Sequence, residues 1–453
     1  MATPVALTPE IIGRAIDRTP LTKAMLFIII VAAAGFFFDS FDIVVVSYAM
    51  PSIAREFMLG PKQLGVIGSA ALAGMAIGSW TWGWVADRWG RKLVFAATVL
   101  TFSLFTGLAG LAWSLGLLLG ARFLTGLGLG GMIPIDSALV TEFAPARIRG
   151  RVGAALPLSW PIGIFAAAGA GLLVVPTIGW RWLFALGALP ALLAYIIRRR
   201  VPESPRWLAA HGRTEEARAS LHYVGVTEAH LQQAAHDVAA APAPPAVREA
   251  RFADLFRSGY ARRVVQTWSM WFLSNAGGYA FAVWLPTIYA SIYHIQLTRT
   301  LVYTFIVAGT SVIGRIVAFS LVDRVGRKPL IVTGFLVAGG AALLFTQATT
   351  PTMLLLVAMS FAFFNDIGAL GMTVYTPEVF PLRVRGIATA AAMGIGRVGG
   401  MVSPLVIGVL LSVGSVVSVW FLLAALQAAA ALLSLWLAQE TRGRNLEMVS
   451  QPA

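Results

Sequence analysis

The sequence predicts an all-α membrane protein of twelve transmembrane helices in two pseudo-symmetric halves of six. Two observations carry this: a strongly apolar composition interrupted by charged loops, and a loop pattern that occurs twice. Of 453 residues, 58% are hydrophobic and 12% charged, too apolar for an ordinary soluble domain. The first loop reads Gly83-x-x-x-Asp87-Arg88-x-Gly90-Arg91-Lys92. The second keeps Asp323-Arg324-x-Gly326-Arg327-Lys328, each residue 236 positions after its twin, with Phe319 in place of Gly83. Glu142 and Glu378 keep the same offset, as do Arg149-Gly150 and Arg385-Gly386. One register held over roughly 60 residues per copy marks a repeat of whole supersecondary units, the build of carriers whose substrate site lies between two membrane halves.

A helix needs about 20 apolar residues to cross the hydrocarbon. Segmentation at the charged loops places spans at 24–49, 62–85, 93–114, 116–142, 151–174, 180–198, 262–290, 297–322, 329–347, 352–377, 385–411 and 416–438. The domains are then an N-terminal half over 1–198, a cytoplasmic linker over 199–261, a C-terminal half over 262–440 and a cytoplasmic tail over 441–453. In the linker, Ser204-Pro205 and Thr214-Glu215-Glu216 read as helix starts, a capping side chain followed by proline or acidic residues. Ala241-Pro242-Ala243-Pro244-Pro245 reads as a hinge. About 60 polar residues cannot supply the core of an enzyme domain.

The net charge of +14 does not imply nucleic acid. Arg88, Arg91, Lys92, Arg147, Arg149, Arg151, Arg198 to Arg200, Arg324, Arg327, Lys328, Arg383, Arg385, Arg442 and Arg444 fall in alternate loops or the tail, whereas the other loops hold only Arg55, Lys62, Arg181 and Arg299. The positive-inside rule then puts both termini and the linker in the cytoplasm, in a multi-pass protein of a bacterial inner membrane. With no cysteine, disulfides and thiolate metal sites are excluded. The first 23 residues lack a signal peptide's layout.

Taken together, the Gly83–Lys92 loop and its copy, Arg122-x-x-x-Gly126-x-Gly128-x-Gly130 in span four, Pro202-Glu203-Ser204-Pro205-Arg206-Trp207 and Glu440-Thr441-Arg442-Gly443-Arg444 resemble the major facilitator superfamily of transporters over essentially the whole chain. The last two stretches resemble its sugar-porter and organic-ion branches. Gln266-Thr267-Trp268-Ser269-Met270-Trp271 and Phe364-Asn365-Asp366-Ile367-Gly368 stand where sugar porters carry their hexose motifs, and neither motif is present. Phe38-Asp39-Ser40-Phe41-Asp42, Trp284-Leu285-Pro286 and Tyr375-Thr376-Pro377-Glu378 are similar to the bacterial niacin and aromatic-acid proton symporters. Arg397-Val398-Gly399-Gly400 is similar to the segment of animal organic-anion carriers that holds an anion-binding arginine.

Charges inside the membrane are functional candidates, because a carboxylate there costs at least about 2.5–3.5 kcal/mol. Every histidine falls in a loop, so carboxylates must carry any proton coupling. Asp39 and Asp42, spaced i, i+3, share a helix face; crowding of two carboxylates suits them to bind and release a proton. The alternative is a packing role. Arg122 is expected to order spans one and four and to bias one of these aspartates. Asp136 lies fourteen residues after Arg122, about 21 Å along one helix, too far to pair with it, and is either cavity-facing or structural. Asp366 and Asn365 are expected to line the cavity or to pack. Arg397 offers a planar fork to a substrate carboxylate, or else an internal salt bridge. Arg315, near the inner surface, reads as structural. Tyr279, Trp284 and Tyr375 are the aromatic candidates for a flat substrate.

In the repeated loops, Gly83, Arg88 and Arg324 accompany the gating charges. Asp87 and Asp323 are expected to accept from helix N-terminal amides and to pair with basic residues across the cytoplasmic interface, latching the outward-facing state, with Arg91 and Arg327 in the same loops. Glu142 is expected to pair with Arg149, and Glu378 with Arg385. The resulting reading is a monomeric, proton-coupled symporter of a small aromatic or organic carboxylate, nicotinate-like or hydroxybenzoate-like, in contact with lipid and needing no cofactor or metal. The alternatives are an organic-cation or sugar/polyol carrier, or a non-transporting metabolite sensor. No nucleophile, metal cluster or phosphate loop suggests an enzyme.

Overall fold

The computed structural model describes residues 5–240, 252–257 and 259–444, with the side chains of residues 133, 134, 137, 138, 154 and 257 left aside. The proline-rich 241–245 stretch and most of the tail lie outside the described residues. Twelve spans are present. Span one is Lys23–Glu56, two Pro61–Trp89, three Arg91–Gly110, seven Ala261–Ser291, eight Leu297–Val325, nine Arg327–Leu344, ten Pro351–Glu378, eleven Leu382–Val413 and twelve Val416–Leu437. Spans four to six are interrupted. Four runs Leu115–Gly130 and Met132–Phe143, five Ala146–Ala155 and Ser159–Val174, and six Trp180–Leu186 and Ala191–Arg200. Pro157 and Pro190 stand at the breaks of five and six, where the missing N–H cannot continue the helical ladder.

Ten helices among the described residues are long and apolar enough to cross a membrane. Span seven is not among them because Gln266, Thr267, Ser274 and Asn275 interrupt its apolar surface, and it is these polar residues that face inward. The starts of spans two to six, at Pro61, Arg91, Leu115, Ala146 and Trp180, recur 236 residues later at Leu297, Arg327, Pro351, Leu382 and Val416. The repeat seen in the loops therefore extends over the complete halves.

The halves meet at the end remote from the basic loops. A Cβ on Gly65 of span two would stand 2.7 Å from the Pro404 carbonyl of span eleven, and one on Gly408 would stand 2.7 Å from the Pro61 carbonyl, so the backbones cross where only glycine fits. Phe165 and Phe305, from spans five and eight, stack with centroids 4.5 Å apart. At the basic end, Asp87 and Asp323 have side chains 80% and 82% exposed. The molecule is closed at one end and open at the other.

Sequence reading missed a helix at Pro9–Arg18, started by Thr8, which buries Ile11, Ile12, Ala15 and Ile16 in the same core as Leu231 and Ala234 of the linker helix Glu228–Ala240. Its Arg18 pairs with Asp237. Asp17 accepts from the Ala146 amide at 2.7 Å and from Arg149 at 2.9 Å, tying this helix to the start of span five.

Candidate functional site: a cavity between the halves

A cavity of about 270 Å³ lies between the halves. The N-terminal half presents an almost wholly apolar wall: Phe36, Val44, Tyr48, Met75, Trp160 and Ile164. The charged and amide side chains of the lining come from the C-terminal half: Asn275 on span seven, Arg315 on span eight, Asn365 and Asp366 on span ten, and Arg397 on span eleven. Tyr279 joins them.

Asp366 is not a free carboxylate. Ser311 donates to it, and Arg315 Nε lies 3.2 Å from its other oxygen. Arg315, expected near the inner surface in a structural role, thus stands on the cavity, carried there by the rotation of span eight. Arg397 lines the cavity with no ion-pair partner within 4 Å among the described residues.

The acidic residues at membrane depth in the N-terminal half, Asp39, Asp42 and Asp136, are buried and stand outside the cavity lining. Asp42 and Arg122 form a buried pair, 1% and 0% exposed, with Nη1 to Oδ2 at 3.0 Å and Nη2 to the Asp42 carbonyl at 3.1 Å. Thr106 donates to the second carboxylate oxygen. The Asp39/Asp42 pair of the sequence reading is therefore divided, with Asp42 satisfied and Asp39 left without a hydrogen-bond partner at either oxygen. Asp39's unpaired companion is Asp136, also fully buried with both oxygens unpartnered among the described residues. Asp136 packs where a Cβ on Gly35, one turn before Asp39, would fall. Of its two expected readings the structure supports the packing one: Asp136 does not line the cavity and lies against span one, in the helix that follows the break at Gly131.

Two aromatic candidates are displaced. Trp284 is buried and donates to the Pro404 carbonyl at 3.1 Å. Tyr375 is buried and accepts from Gln266 at 3.0 Å and from the Gln439 amide at 3.2 Å. Each polar tip satisfies a backbone or amide group elsewhere, so neither faces the cavity.

The gating loops pair differently from the expectation. The amides of Arg91 and Lys92 donate to Glu203, at 2.8 and 3.1 Å. Those of Arg327 and Lys328 donate to Glu440, at 3.1 and 3.0 Å. Glu203 and Glu440, not Asp87 and Asp323, fill the two helix N-termini. The signal was legible, since both lie in quoted motifs and are 237 positions apart. Gly90 and Gly326, at φ 96° and 109°, make the turn that exposes these amides, a conformation other residues adopt at a cost. Among the described residues, the ion pairs of Asp87 and Asp323 are with Arg91 and Arg327 of their own half, at 3.9 and 3.0 Å. Glu142 pairs with Arg91 at 2.8 Å and Glu378 with Arg327 at 2.9 Å. Arg149 and Arg385, expected to hold those glutamates, instead donate to the carbonyls of Ala144 and Phe380, at 3.0 and 3.3 Å. Arg88 lies over Trp84, and Arg88 and Arg324 are exposed. At Gly83 a Cβ would meet nothing within 4 Å. Burial raises the pKa of Glu440, but the amides of Arg442, Arg327, Lys328 and Thr441 outweigh it and hold the carboxyl below its ordinary value.

Two pseudo-repeated six-helix halves around a cavity that is open at one end define a membrane transporter, not an enzyme. Comparison with known proteins agrees: residues 27–452 match the family described as Sugar (and other) transporter. The niacin transporter NiaP of Acinetobacter baylyi is 32% identical over 96% of this chain and 98% of its own length. The benzoate transport protein of the same organism is 28% identical over 88% and 86%. In fold, the chain matches the xylose transporter XylE of Escherichia coli in a partially occluded inward open conformation, with a TM-score of 0.75 at 21% identity over 94% of this chain and 100% of that one. The chain belongs to the sugar (and other) transporter family of the major facilitator superfamily.

Proposed function

We propose that this transporter is a proton-coupled symporter of a small aromatic carboxylate, of the nicotinate or hydroxybenzoate kind, oriented in an inner membrane with its basic end and both termini in the cytoplasm. The observation that carries the reading is Arg397, a guanidinium on a largely apolar cavity without a counter-ion within ion-pair distance among the described residues. A carboxylate brings that counter-ion, and aromatic side chains of the lining, Trp160 and Tyr279 among them, can stack on a planar ring. The names of the relatives, which transport niacin and benzoate, support the same class. An organic cation would need a free cavity carboxylate, and Asp366 is already held by Arg315 and Ser311.

Proton coupling rests on Asp39 and Asp136. Two ionised carboxylates packed together without hydrogen bonds are untenable in a low-dielectric interior, and Arg397 is the cation of the cavity lining that has no ion-pair partner among the described residues. In the proposed cycle, substrate that neutralises Arg397 leaves no free cation to balance a charge on Asp39, and Asp39 takes a proton. Reciprocally, a protonated Asp39 leaves Arg397 free for the substrate. With both sites filled the net charge is unchanged, since carboxylate and proton cancel, but neither Arg397 nor Asp39 is left as an unpaired charge, and the cavity is able to close over its load.

The test is uptake of labelled nicotinate and 4-hydroxybenzoate into proteoliposomes with and without an inward proton gradient. Gradient-driven accumulation abolished by a protonophore is expected. Asp39→Asn should stop accumulation while retaining substrate exchange, and Arg397→Lys should weaken carboxylate binding by about tenfold or more. Accumulation that persists in Asp39→Asn would overturn the coupling assignment, and an unaltered affinity in Arg397→Lys the carboxylate site.

A further inference from the structure

Asn275 and Asn365 line the cavity, and the ion pairs described above use neither. Asn275 donates its Nδ2 to the Trp271 carbonyl at 2.9 Å. A carbonyl only accepts, so this bond fixes the amide and leaves its Oδ1 as an acceptor. Asn365 accepts at Oδ1 from Gln427 Nε2 at 2.9 Å, which leaves its own Nδ2 as a donor. That nitrogen stands 3.5 Å from where a Cβ on Gly278 would be, one turn beyond Asn275 on span seven. Gly278 has no side chain to cover it. On the other side, a Cβ on Gly396 would meet Asn275 at 2.7 Å, which sets the amide beside the turn that carries Arg397. An acceptor and a donor therefore share one patch of wall next to the guanidinium.

We infer that Asn275 and Asn365 form a hydroxyl-recognising subsite that makes this carrier selective for aromatic acids bearing a ring hydroxyl. The hydroxyl donates to Asn275 and accepts from Asn365 while the carboxylate sits on Arg397. A pyridine nitrogen can only accept, so it satisfies Asn365 alone, and an unsubstituted ring satisfies neither amide. The order of affinity is hydroxybenzoate, then nicotinate, then benzoate. This inference rests on the carboxylate reading of Arg397 and adds to it the second point of recognition.

The experiment is equilibrium binding to the purified full-length protein of 3-hydroxybenzoate, 4-hydroxybenzoate, nicotinate and benzoate. The better hydroxybenzoate isomer should bind on the order of tenfold tighter than benzoate, from two net hydrogen bonds. In Asn275→Ala and Asn365→Ala that ratio should collapse to about threefold or less. Benzoate binding at wild-type strength relative to both hydroxybenzoates, or a ratio that survives both substitutions, overturns the subsite. The wild-type series decides the matter even if a variant does not fold. If all four acids bind alike and Arg397→Lys weakens them all, the subsite alone fails. If none binds, the carboxylate reading fails with it.

Discussion

The two halves repeat each other at the basic end and diverge inside the membrane. Asp87, Arg91, Glu142 and Arg149 recur 236 residues on as Asp323, Arg327, Glu378 and Arg385, with the same partners: the glutamate on the loop arginine, and the second arginine on the carbonyl five residues before it. At the same offset, none of the seven charges at membrane depth has a charged twin. Asp39, Asp42, Arg122 and Asp136 correspond to Asn275, Gly278, Ala358 and Met372; Arg315, Asp366 and Arg397 correspond to Ser79, Gly130 and Pro161. Opening and closing is a symmetric task, since either half must rock against the other, and symmetric parts serve it. The membrane interior is asymmetric: one half holds buried acids beside an apolar wall and the other a polar lining, as the proposed binding of a polar load and a proton requires.

The sharpest way to break this comparison is at its two arginine–aspartate pairs. Arg122–Asp42 is fully buried, whereas Arg315–Asp366 borders the cavity with side chains 10% and 12% exposed. Arg122→Gln leaves Asp42 buried without its cation, which costs about 3–5 kcal/mol. Arg315→Gln leaves Asp366 beside a wet cavity and Ser311, and should cost less than half as much. Thermal denaturation of the two purified variants checks the order, and Asp42→Asn added to Arg122→Gln should recover much of the loss. Equal losses would mean that the two pairs do the same structural job and that the division of labour is wrong.

The span pattern was legible because it depends on composition and spacing. Apolar runs of about 20 residues must be helices in lipid, and the charged loops punctuate them. The site was less legible because partners depend on helix rotation and on breaks. Asp39 and Asp42 share a face in any helix, but only the approach of span four decides that Arg122 takes Asp42. Trp284 and Tyr375 lie in motif-bearing segments, yet their rotation turns them into packing. Arg315 looked peripheral from its distance to Asp323 along the chain, and the rotation of span eight, which sets Thr304, Ala308, Ser311 and Arg315 on one face, brings it to the cavity. The N-terminal helix went unseen because its apolar face of Ile11, Ile12, Ala15 and Ile16 is short and set among polar residues.

A smaller effect sharpens the symmetric side of the comparison. If Glu203 and Glu440 do the same work, Glu203→Gln and Glu440→Gln should destabilise alike, by about 1 kcal/mol for part-exposed charge-assisted bonds. Glu440's carboxyl is held below its ordinary value, so its contribution is complete above the ordinary glutamate range near pH 4.3 and fades as pH falls through and below it. Melting temperature against pH should therefore drop less steeply on the acid side in Glu440→Gln than in the parent. Parallel curves would remove Glu440 from the clasp.

The smallest effect on stability carries the clearest information on movement. Gly65 and Gly83 lie eighteen residues apart on span two, five full turns, so they share one face about 27 Å apart. Gly65 meets span eleven at the closed end, and Gly83 faces open space at the other. When the halves rock, the basic end must bring its own face of span two against the C-terminal half, and Gly83 leaves the room that Gly65 leaves now. Gly83→Leu should therefore change the stability of the present conformation by less than about 0.5 kcal/mol. It should nevertheless disfavour the state closed at the basic end by about 1–3 kcal/mol of overpacking. Spin labels at Arg88 and Arg324 would report that state as a short distance, populated in the parent with substrate and depleted on the order of tenfold in the variant. Gly65→Leu should do the reverse. If Gly83→Leu closes as readily as the parent, the face of span two is not the surface on which the halves meet, and the repeat's missing glycine at Phe319 loses its explanation as the half of the interface that does not need the room.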